Sequence, residues 1–142
     1  MASSYSPILR TELIGSGEQS NSWGDTTNNN FSRVFDEAIS GVYSKNLSAT
    51  GASYTLAIAD GPVVAASNEV RQAAIRFHGH TTARTVVQPQ NSASTAAYQK
   101  IYIIINDGTA SGSVTLQING GNSSDTIPAG GRAVLATDGT NW

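Results

Sequence analysis

The sequence predicts a mainly β chain: an N-terminal extended arm, one short amphipathic helix, then a small antiparallel sandwich or barrel-like β domain. Three observations predict it. After residue 41, runs rich in Val, Ile and Tyr recur at roughly ten-residue spacing between turn-forming residues. One segment, around Phe31, repeats its apolar residues with a helical period. The first 25 residues follow neither period but carry dispersed apolar side chains. The division expected is an arm over 1–25, a helix over 26–41 and a β domain over 42–142.

Composition narrows the function classes. A chain of 142 residues and 14.7 kDa holds one core. Charged residues make up 13%, about half the usual share. Ser, Thr, Asn and Gly supply 57 of the 142 residues, so hydroxyls and amides dominate the polar surface. With net charge −2 there is no basic excess to neutralise phosphates, and no nucleic-acid partner is expected. No apolar run approaches the length of a spanning helix, and no membrane partner is expected. The N-terminus lacks the basic and apolar regions of a secretory signal. Cysteine is absent, which excludes disulfides, thiolate catalysis and thiolate metal sites.

In the arm, Gly15, Gly17 and Gly24 punctuate the chain between Tyr5, Pro7, Ile8, Leu9, Leu13, Ile14 and Trp23. A structureless stretch this long is unusual inside a compact domain, so it is expected to lie on a neighbour. Ile8, Leu9, Leu13, Ile14 and Trp23 are its candidate docking anchors. The helix follows from Phe31, Val34, Phe35, Ala38 and Ile39, spaced i, i+3, i+4, i+7 and i+8. Thr26, Thr27 and Asn28 are candidate N-caps, and Gly41 stands where a C′ glycine ends a helix. Phe31, Val34, Phe35 and Ile39 are expected to pin this helix to the sheet.

Strands are predicted over 42–49, 53–59, 71–78, 85–88, 100–105, 113–118 and 132–136. Alternation is clean in Tyr54-Leu56-Ile58, Ile75-Phe77 and Val114-Leu116-Ile118. The unbroken run Ile101-Tyr102-Ile103-Ile104-Ile105 reads as a central strand buried on both faces. Asp60-Gly61-Pro62, Asn106-Asp107-Gly108, Asn119-Gly120-Gly121, residues 128–131 and Asp138-Gly139 supply turns. Residues 91–97 form a small-residue loop.

Chemistry-bearing motifs are few. His78-Gly79-His80 places two imidazoles at i and i+2, on one face if the strand continues. Two ligands make a site only when repeated about an axis, and no cofactor is expected. Gly15-Ser16-Gly17-Glu18 lacks the lysine and hydroxyl of a phosphate loop. Carboxylates are scattered and mostly beside turn residues, and no nucleophile elbow occurs, so no catalysis is expected. Residues 119–125 are oxygen-rich without the spacing of a calcium loop. Three Asn-x-Ser triplets, at Asn30, Asn46 and Asn122, read as chance. Trp23, Tyr98, Tyr102 and Trp142 are candidate sugar-stacking residues, although aromatics in a β protein more often serve core or interface.

The stretch from Gly17 through Trp23-Gly24-Asp25-Thr26-Thr27-Asn28-Asn29-Asn30-Phe31, with a helix ending Ala38-Ile39-Ser40-Gly41, resembles the N-terminal signature of a family of tailed-bacteriophage virion proteins common in phages of aquatic bacteria. The likeness continues through Ile58-Ala59-Asp60-Gly61, Ser67-Asn68-Glu69-Val70-Arg71, Ile75-Arg76-Phe77-His78-Gly79 and the closing Asp138-Gly139-Thr140-Asn141. It implies particle assembly rather than enzymology: a non-catalytic virion protein, assembled in the bacterial host cytoplasm and carried on the particle surface. Its expected partners are copies of itself, as a homotrimer, and other capsid or tail proteins. A capsid decoration protein (cement or head-fibre) is favoured, since a chain ending at Trp142 leaves no room for a long distal shaft. A tail-fibre or tail-attached module is the alternative, and a host-glycan-binding module a further one.

Overall fold

A computed structural model of the chain describes residues 3–6, 8–89, 99–118, 123–139 and 141–142. The loop read over 91–97, Tyr98, the Asn119 turn, Thr140 and the oxygen-rich side chains of 119–125 lie outside the described residues. The chain begins with a two-residue ladder, β1 (Ser4–Tyr5) against β2 (Glu12–Leu13). A continuous helical stretch of 18 residues follows: α1 (Trp23–Asn29), a π-helical segment (Asn30–Phe35) and α2 (Asp36–Ser40). Then come β3 (Val42–Asn46), β4 (Ser53–Thr55), two 3-10 turns (Ala65–Ser67, Glu69–Arg71), β5 (Ala74–His78), β6 (Arg84–Gln88), β7 (Lys100–Asp107), β8 (Val114–Ile118), β9 (Ser123–Ile127) and β10 (Arg132–Thr137).

The protein is mostly β, and its described strands form no closed barrel. One four-stranded sheet has the order β10-β7-β5-β3 and the other β4-β6-β8-β9. From β3 to β8 successive strands alternate between the two sheets. The pairs β3–β5, β5–β7, β4–β6 and β6–β8 are all parallel; only β7–β10 and β8–β9 run antiparallel in these sheets. Each circuit of the chain thus lays one strand on each sheet, as in a short solenoid, and β9–β10 closes the end.

The antiparallel arrangement expected from sequence is therefore corrected to a mainly parallel one. The turns carry the chain across to the facing sheet instead of folding it back on its neighbour. Parallel strands usually betray themselves by being apolar on both faces. Here each has one face on the core and one outside, so it alternates as an antiparallel strand does. Ile75, Phe77, Val86, Tyr102, Ile104, Val114 and Leu116 point into a shared core with Leu47, Leu56, Val70 and Ile127. β7 is internal in its sheet but is not buried on both faces: Tyr102 and Ile104 face inward, while Ile101 and Ile103 are exposed. Trp142 packs on Tyr102 with ring centroids 5.3 Å apart.

The helix starts at Trp23, three residues before the expected start, and no side chain caps it. Gly41 is extended rather than left-handed (φ −66°, ψ 140°). Glycine is required there for space, because a Cβ would collide with Gln72 Oε1 and lie 2.5 Å from the Glu37 carbonyl.

Candidate functional site

The chemistry-bearing features converge on the unit formed by residues 3–41 and its junction with the sheets. Its first element is tied down by polar contacts. Arg10, in the left-handed region (φ 55°), donates to both Asp60 oxygens at 2.6 and 2.9 Å, while its carbonyl accepts from Gly61 N–H at 2.9 Å. The Asn30 amide brackets Glu12: Oδ1 accepts from its N–H (3.2 Å) and Nδ2 donates to its carbonyl (2.9 Å). The segment read as an extended arm thus folds against its own helix and the 60–61 turn.

The second attachment is a buried polar brace. Arg71 is fully buried and donates to Glu37 Oε2 from Nε (3.1 Å) and Nη2 (2.8 Å), and to the Gly61 (2.8 Å) and Val63 (2.7 Å) carbonyls. Gln72 Nε2 donates to the same Glu37 oxygen at 2.7 Å. Lys100 Nζ donates to the carbonyls of Arg71 (2.6 Å), Gln72 (3.0 Å) and Ala38 (3.3 Å). Burial, and then the nearby Arg71 guanidinium, push the Lys100 ammonium down to about 8. These groups join α2, the turn after β4, the start of β5 and the start of β7.

This brace replaces much of the expected apolar pinning. Val34 is fully buried and Phe35 half-buried, but Phe31 is 59% exposed and Ile39 77% exposed. The π-helical segment changes the rotation per residue, so Phe31 and Ile39, eight positions apart across it, do not share the buried stripe of Val34. Phe31 contacts Phe35, with ring centroids 5.6 Å apart. Among the docking candidates, Trp23 is 61% exposed, Ile8 and Leu13 are also exposed, and Leu9 and Ile14 are half-buried. Ile8, Leu9, Leu13 and Phe35 line an open groove of about 350 Å³ with Ser6 and Thr11. The structure thus gathers three of the five anchors at one groove.

The histidine pair does not share a face. Gly79 takes φ 78°, which ends the strand and turns the two rings apart. His78 is half-exposed beside Asn46 and Asp107 in the sheet register. His80 is buried against Gly108 and Gly112, and neither ring nitrogen has a hydrogen-bond partner among the described residues. No cluster of three metal-ligating side chains occurs among the described residues.

A second buried node involves Glu69. Its carboxylate accepts from the Tyr54 hydroxyl (2.9 and 2.8 Å), Ala57 N–H (2.9 Å) and Lys45 Nζ (3.2 Å). Burial works against the Lys45 ammonium, but bonds to Tyr54 and Glu69 and the Glu69 charge outweigh it and raise its pKa. Burial first, with the Glu69 charge, raises Tyr54. Three donors from within the fold hold this buried carboxylate, with the single Tyr54 proton shared between its two oxygens.

The chain matches no family model, no curated protein and no solved structure.

Buried charges are spent on internal joints, and large apolar side chains are left outside. Sequence reasoning missed Glu37, Arg71, Gln72, Lys100 and Glu69, because no periodic or motif pattern marks a long-range polar joint. The available signal was scarcity: among so few charged residues, Glu69 and Arg71 flank Val70 in a weakly polar stretch.

Proposed function

We propose that the protein is a non-catalytic structural component of a bacteriophage virion, homotrimeric and attached to the particle through its N-terminal unit. The observation that carries this reading is the pairing of a rigidly braced unit with unburied apolar anchors: Trp23, Ile8 and Leu13 stand outside while Arg10, Asn30 and Glu37 hold their backbone in place. A pre-ordered apolar surface loses little entropy on docking, and each large side chain buried there contributes roughly 1.5–3 kcal/mol. The chain's low charge and its hydroxyl- and amide-rich surface support contacts with neighbours. The signature around Trp23-Gly24-Asp25 supports placing those neighbours in a phage particle. Capsid decoration is the favoured position and a tail-attached module the alternative.

The test is incorporation. Particles assembled with Trp23→Asp plus Ile8→Asp chains are expected to lack the protein, while the purified variant keeps wild-type circular dichroism. Immunogold labelling of wild-type particles is expected on the shell. Undiminished incorporation of the double variant refutes the docking role, and label confined to the tail refutes decoration.

A further inference from the structure

Among the described residues, no element packs on the outer face of the β10-β7-β5-β3 sheet. In its register Val42, Ala74, Ile103 and Val134 form one row across all four strands, and Ile101 pairs with Ala136 in the next. Val134 is 70%, Ile101 66% and Val42 64% exposed, with Ile103 nearly half exposed. Ala74 is buried between them, so the exposed apolar surface is the Ile101, Ile103 and Val134 patch on β7 and β10 with Val42 at the far edge, which is more than the scattered exposure of an ordinary surface. Arg132 and Arg76 share the adjoining row with Ser44 and Ile105; Arg76 is ion-paired with Asp107 at 2.5 Å, which leaves Arg132 as the basic group this row presents among the described residues.

The N-terminal unit has the opposite bias. Of the five carboxylates in residues 1–41, Glu37 is paired with Arg71 and Glu12 and Glu18 accept internal hydrogen bonds, while Asp25 and Asp36 are exposed; of the two arginines, Arg10 is paired with Asp60. Phe31 stands exposed on its helix, with Asp25 and Asp36 also exposed there. We propose that the outer sheet face of one copy receives the Phe31-bearing helix of a second copy of this chain. Charge decides between a second copy's helix and its sheet. Sheet against sheet would oppose Arg132 to its own copy, whereas helix against sheet brings the exposed Asp25 and Asp36 carboxylates to Arg132. Such a contact is heterologous, uses each surface once per copy, and closes into a ring when the rotation permits. It specifies how the trimer of the proposed function is built, while the particle is left to the groove and Trp23.

The experiment uses the purified full-length chain in analytical ultracentrifugation, so its failure is separable from failure to join a particle. Wild type is expected to sediment as an oligomer that weakens with salt. Val134→Asp and Phe31→Asp each alter an exposed site and are expected to be folded by circular dichroism and monomeric. Mixed in equal amounts they are expected to form a one-to-one dimer and nothing larger, because one retains its helix and the other its sheet face. Arg132→Glu is expected to weaken wild-type assembly. A monomeric wild type, a Phe31→Asp chain that assembles normally, or a mixture that stays monomeric overturns the proposal. If Val134→Asp does not fold, Ile101→Asp on the same face replaces it and must give the same result.

Discussion

Arg71→Met tests the brace directly. The substitution preserves length and apolar bulk but removes four donated hydrogen bonds, two of them to the Glu37 carboxylate and two to the Gly61 and Val63 carbonyls. Breaking a buried ion pair from one side costs about 3–5 kcal/mol, because the remaining charge and carbonyls stay desolvated. Glu37 keeps the Gln72 amide and its side chain is 20% exposed, which places the cost at the lower end, about 3 kcal/mol. A chain of this length unfolds with an entropy of about 0.3 kcal/mol/K, so the melting temperature should fall by about 10 °C. Thermal denaturation followed by circular dichroism reads this. Glu37→Gln should be damaging alone, since it strands the Arg71 charge, yet nearly neutral in the Arg71→Met background, where that charge is gone. A loss under about 1 kcal/mol for Arg71→Met, or equal cost of Glu37→Gln in both backgrounds, refutes the brace.

Ile39→Ala should change stability by less than about 0.5 kcal/mol, against about 2 kcal/mol for Val34→Ala, in urea denaturation. Equal costs would restore the continuous apolar stripe expected from an ideal helix. Lys100 binds its proton less tightly folded (about 8) than unfolded (10.5), so the unfolded state holds more protons between those values and stability should rise with pH from about 8. Tyr54 and Tyr43, raised by burial, oppose this only above about 10. A melting-temperature series from pH 7 to 10 should therefore climb in wild type and flatten in Lys100→Met. Gly108→Ala should cost about 1–3 kcal/mol, because its Cβ would lie 2.6 Å from the Gly112 carbonyl and from His80 Nε2; an unchanged melting curve would show that the loop gives way freely.

All seven predicted strands have counterparts, because period-two alternation depends only on one face being buried. Their pairing was illegible for the same reason: alternation in Ile75-Phe77 or Val114-Leu116 is identical whether the neighbour runs parallel or antiparallel. Ile101–Ile105 misled in the other direction, since composition cannot separate a face covered within the chain from one left exposed. The helix was legible as a helix, but its π segment was not, and within that segment Phe31 is exposed while Val34 is buried. β9, Ser123–Ile127, was missed because Ser-Ser-Asp-Thr carries no apolar signal and its pairing with β8 contains an irregular register.

The location of the charges explains why the exposed apolar residues can be kept. An apolar side chain that pins a helix is consumed by that task. Here Glu37, Arg71, Gln72 and Lys100 hold the helix through directional bonds to backbone carbonyls and to one another, which fixes its orientation without using Phe31 or Ile39. Such bonds gain little net stability, because the same groups bond well to water, but they are costly to break and so favour one geometry over near alternatives. Geometry is what a docking surface requires. A helix held mainly by apolar contacts could rotate by repacking, whereas one fixed through Arg71 presents Phe31 and Trp23 at a set angle to the sheets. The coil adds the complementary property. Crossing between sheets at every turn leaves each outer face continuous across all four strands, so the row from Val42 to Val134 is assembled from residues almost a hundred positions apart. The sheet surface is no local sequence feature and depends on the parallel pairing being in place, while the angle at which the helix presents Phe31 and Trp23 depends on Arg71.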